Sequence, residues 1–99
     1  MNEVYLRIFK DPKQTLVAVC DRELLGETFR EGKLKLEVKT DFYRGSPATI
    51  SEALQSVDLA DIANLVGEQI VHAAVEEGYA DPSAIIRIAG VPHVQIVRI

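Results

Sequence analysis

Five residues bear side chains of catalytic type in positions worth weighing: Cys20, Asp21, Asn64, Glu68 and His93. Cysteine, histidine and asparagine together would make a nucleophile set of thiol, base and amide. Yet Cys20-Asp21 closes the apolar run TLVAVC without a cysteine-enzyme signature around it. A buried cysteine there serves as a small hydrophobe. His93 stands in GVPH, where Gly90 and Pro92 are sufficient to build a tight connection. It is read either as a turn residue or as an exposed group titrating near neutrality, lacking a neighbouring partner to act as a base. Asp61, Asn64, Glu68 and His72 recur at spacings of three and four, which sets them side by side on a helix. Glu68 and His72 could share a metal ion with Asp61, but a working site needs three or four supported ligands and HExxH is absent. A solvated polar face is the alternative, and no metal site is assigned. Neither GxGxxG nor GxxxxGK occurs, and no motif names a cofactor.

The elements that would position these groups follow from periodicity. Val4–Lys10 alternates and reads as a strand. Asp11-Pro12 turns the chain into a second strand, Thr15–Cys20, apolar on both faces and so interior to a sheet. Asp21 is read as the cap of one helical turn to Leu25, ended by Gly26. KLKLEVK from Lys33 alternates as an edge strand with one wet face. DFYRGSPAT reads as loop. Thr49 and Glu52 form a capping box for a short helix to about Val57. Asp58 then caps a longer helix, Leu59 to Glu77, stopped by Gly78. Its apolar residues fill one side and spill onto a flank of Leu65, Val71 and Val75, which must meet another element or a second copy of the chain. Gly67 in its middle costs about 1 kcal/mol against alanine, so a close backbone approach is expected there. Ile85–Ala89 and Val94–Ile99 make a last hairpin around GVPH. The expected architecture is one α+β domain, residues 1–99, with a mainly antiparallel sheet of about five strands and two helices on one face.

Composition narrows the function classes. With 99 residues, 47% hydrophobic and 26% charged, the chain suits one globular domain. A single cysteine excludes an internal disulfide and makes a reducing cytoplasm the default. No signal peptide or membrane-spanning run is read. The net charge of −4 argues against general DNA binding. Residues 45–86 hold seven acids and no Lys or Arg, whereas every cation lies in the flanking segments.

CDRELLGETFREGKLKLEV, FYRG, IANLVGE and GVPH, in that order, resemble an uncharacterised archaeal family, domain of unknown function 424. The resemblance runs over about residues 4–99. It takes in Cys20, Asp21, Gly26, Gly32, Gly45, Asn64, Gly67, Glu68, Gly90, Pro92 and His93. It implies a small cytoplasmic archaeal protein and assigns no role to any residue. The leading functional reading is a non-enzymatic binding module for a protein or a structured RNA, resting on the charge asymmetry. Two others stand beside it: a small enzyme using Asn64, Glu68, His93 and Cys20 between the long helix and the last hairpin, and a homodimer covering the Leu65 flank.

Overall fold

The structure is a computed structural model and describes residues 2–98. Strands β1 (Val4–Lys10) and β2 (Thr15–Asp21) form the expected hairpin, with Asp11 accepting from the amides of Lys13 and Gln14 in its turn. β2 lies inside the sheet, as its two-sided apolar pattern requires. A single 3-10 turn, Arg22–Leu24, follows, and Asp21 does not cap it.

KLKLEVK is not an edge strand of that sheet. It supplies β4 (Leu34–Glu37), paired with β3 (Thr28–Glu31) in a separate two-stranded hairpin. Phe29 and Leu36 pin this hairpin onto the sheet, and the wet lysine face remains outside. The segment expected as loop contains a one-turn helix, α1 (Thr40–Tyr43), and strand β5 (Ser46–Ala48), which pairs with β1.

Helix α2 (Ile50–Leu59) opens on the capping box. Glu52 donates its amide to the Thr49 hydroxyl at 3.1 Å, and its carboxylate accepts from the Thr49 amide at 2.8 Å. The long helix expected beyond it does not form. Residues 59–77 instead end α2, cross the sheet as β6 (Ile62–Val66), and re-enter helix as α3 (Glu68–Glu76). Gly67 is therefore not mid-helix but the turn between strand and helix, at φ +118°. Gly78, at φ +80°, follows α3 as expected.

Strands β7 (Ile86–Ile88) and β8 (Val91–Val97) close the chain, turning on Ala89 and Gly90. Pro92 and His93 thus lie within β8 rather than in the connection. Ile99, expected in the last strand, lies outside the described residues.

The six-stranded sheet runs β5-β1-β2-β6-β8-β7, and β2–β6 is its one parallel pair. This is the expected α+β architecture, with six strands where about five were read. α2 and α3 cover one face over a core that includes Val17, Val19, Leu65, Ile70 and Val94. The hairpin and α1 cover part of the other face, over Ala18, Cys20, Val66 and Ile88. Leu65 and Val71 are buried and Val75 packs on the same core, so the flank that prompted a dimer is covered within the chain. Among the described residues, no helix is long and apolar enough to cross a membrane.

Candidate functional site

Strand register fixes where the catalytic-type residues stand. Tyr5, Cys20, Val66, His93 and Ile86 form one rung across five strands. Arg7, Ala18, Asn64 and Gln95 form the rung two residues along, and Phe9, Leu16, Ile62 and Val97 the rung two further on. Residues on alternate rungs share a face. Cys20, Asn64 and His93 therefore all project from the face that carries the hairpin and α1. Val66, fully buried, stands between Cys20 and His93, which puts their Cα atoms two strand spacings apart, about 9–10 Å. Asn64 and His93 are diagonal neighbours, about 7–8 Å apart. No hydrogen bond joins any two of these three side chains.

Their environments differ. Cys20 is fully buried, and desolvation, reinforced by the negative charge of Asp21, pushes its thiol up to about 12. Such a thiol stays protonated and unreactive. Burial lowers the pKa of half-buried His93, which keeps the imidazole neutral near pH 7. Gln95 is exposed beside Asn64, and Ile86 and Val97 are more than half exposed at the margin. The uncovered part of this face is thus a shallow surface of amide and imidazole groups edged by aliphatics. Gln95 escaped the sequence reading because a lone glutamine in a strand gives no signal by itself.

Asp21 and Glu68 lie elsewhere, at the N-terminus of α3. Asp21 is on the helical side of β2, level with Gly67. Its carboxylate accepts from the amides of Gln69 at 2.8 Å and Ile70 at 3.0 Å. An aspartate 48 residues away in sequence from Gln69 thus does the work of an N-cap that Gly67 cannot do. A helix N-terminus attracts anions, and here the chain's own carboxylate occupies it. Glu68 is exposed and receives the Arg87 guanidinium at 2.6 Å.

The polar helix stripe dissolves with the long helix. Asp61 sits in the turn before β6 and accepts from the Thr15 amide at 2.7 Å, Asn64 is in the sheet, and His72 pairs with Glu76 at 3.2 Å. Among the described residues, no three His, Cys, Asp or Glu side chains converge to hold a metal ion.

Fold and site together define a small α+β protein of three layers, whose catalytic-type residues are either structural or dispersed over one sheet face. The chain belongs to the family described as Protein of unknown function (DUF424), whose model matches residues 9–99. It is also similar to the crystal structure of an uncharacterized conserved protein from Methanopyrus kandleri. The two are 27% identical, covering 97% of this chain and 93% of that one, with a TM-score of 0.77. No curated protein matches the chain.

Proposed function

We propose that the chain is a non-enzymatic binding module of the cytoplasm, a single α+β domain whose acidic helical layer docks a protein partner. The observation that carries this reading is the excess of carboxylates on the helical layer. The layer containing α2 and α3 draws on residues 45–86, with seven acids and no Lys or Arg, whereas the hairpin and α1 mix both signs. Four of the seven acids have structural work: Glu52, Asp61 and Asp81 bond backbone amides, and Glu68 pairs with Arg87. Among the described residues Asp58, Glu76 and Glu77 form no ion pair with a lysine or arginine; Arg98 stands at the Asp58 carbonyl, but Glu76 and Glu77 at the end of α3 keep a negative field for steering a basic partner. The same field repels nucleic-acid phosphates, which favours a protein over a structured RNA.

The test is retention from the native lysate on the immobilised chain at low and high salt, beside an Asp58→Asn/Glu76→Gln/Glu77→Gln variant. Wild type is expected to hold protein at low salt, release it at high salt, and lose it with the variant. Retention of nothing, or retention indifferent to the variant, overturns the reading.

One observation favours the enzyme reading: Cys20, Asn64 and His93 share a sheet face. Alkylation decides it. A catalytic thiol would react with iodoacetamide in the native chain, whereas Cys20 as described reacts only on unfolding.

A further inference from the structure

We infer that the groove between α2 and α3 takes a basic amphipathic helix of the partner protein. The inference rests on the binding-module reading and gives it a place and a partner chemistry. The groove has a volume of about 430 Å³. Half-buried Ile50, Leu54 and Ala73 make its floor, and exposed His72, Glu76 and Glu77 stand along its α3 side.

An apolar floor between two helices fits the anchors of a third helix, spaced at i, i+3, i+4 and i+7. The ten residues of α2 span about 15 Å, so a partner of about three turns matches the wall. Among the described residues no strand residue lines the groove, so an added strand has no backbone there to pair with.

The rim sets the sign of the partner. Among the described residues Glu76 meets only His72, and Glu77 has no ion pair. α3 ends here, so the negative end of its dipole adds to the two carboxylates. The positive end of α2 is offset by Glu52 in the capping box. Arg87 and Arg98, the cations on the helical side of β7 and β8, are engaged elsewhere. Arg87 bonds Glu68, and Arg98 bonds the Asp58 carbonyl and lies over the Tyr79 ring. Lysines or arginines flanking the partner's apolar stripe therefore complement this rim, while RNA and anionic lipid surfaces are repelled.

The test titrates amphipathic helical peptides, with leucine at the anchor positions and lysine elsewhere, into the isotope-labelled full chain. Resonance shifts are expected to centre on residues 50–54 and 72–77, with affinity falling about tenfold or more from low to high salt. The same peptides with glutamate for lysine, a single-stranded RNA, and vesicles of anionic lipid should leave those residues unshifted. The double variant E76K/E77K, altered at exposed positions only, should weaken peptide binding by about tenfold or more with its thermal midpoint preserved. Shifts centred elsewhere, binding by the RNA or vesicles at the groove, affinity indifferent to E76K/E77K, or no binding by any lysine peptide overturns the groove as the site. If lysate retention stays salt-sensitive while the groove fails, this inference falls and the binding-module reading stands.

Discussion

Asp21 is the only buried charged side chain among the described residues, and its surroundings pull on it in two directions. Desolvation, the largest influence, raises its pKa, the amides of Gln69 and Ile70 lower it, and the charges of Glu23 and Glu68 raise it again. The net shift is upward from 3.8, so the folded chain holds this proton more tightly than the unfolded one. The associated stability is full below the ordinary aspartate range and is lost as pH rises through the raised value. Urea unfolding of wild type and Asp21→Asn over that acidic range should give a difference curve that declines with pH and then levels. Asp21→Ala should cost about 1–3 kcal/mol, because it orphans two helix amides, one of them on buried Ile70. Added formate should restore part of that loss by entering the vacated helix N-terminus. A flat difference curve, with an alanine variant as stable as wild type, would show that the carboxylate does not hold α3.

Elements placed between layers are where sequence and structure part. β6 buries Ala63 and Leu65 under the helices and Val66 on the other face, where Ile62 is half-buried, so four of its five residues are apolar and the two-residue alternation of a strand is erased. What remains joins the true helical pattern of α3 and mimics one long helix. The first hairpin, the capping box and the Gly78 stop are legible because each is set within a few residues. Asp21 as the cap of α3, and Asn64 and His93 on one face, depend on strand pairing across distant segments and leave no local trace. Gly67 reads as mid-helix with the helix backbone close on the sheet; it is instead the strand-to-helix turn, and what lies close to it is the Asp21 side chain. A Cβ at Gly67 would lie 2.3 Å from the Asp21 Cγ, with backbone at φ +118° besides. Gly67→Ala should therefore cost about 3 kcal/mol or more, from strain and clash together. Gly78→Ala is the control: it has positive φ but open space around its Cβ, and should cost about 1–2 kcal/mol. Denaturant midpoints check both, and equal losses would mean that the Asp21–Gly67 contact does not constrain the turn.

At the scale of the whole molecule, the sheet divides a rigid half from a looser one. β2 and β6 have strands on both sides, and β2 and the Val66 end of β6 carry layers on both faces, so their amides are sealed by the most structure. The β3–β4 hairpin rests on the sheet through one side only and leaves Leu34 half exposed. Its opening should need less free energy than global unfolding. Hydrogen exchange should accordingly be slowest at residues 17–20 and 63–66 and, among the strands, fastest in residues 28–37. The α2–α3 groove belongs to the rigid half, since both helices pack on β2. A peptide docked there should slow exchange in α2 and α3 and leave the hairpin unchanged. Protection of the hairpin equal to that of β2, or a hairpin that slows along with the helices, would mean the layers open as one unit. The groove would then be coupled to the far face, and a partner on one side of the sheet would be felt on the other.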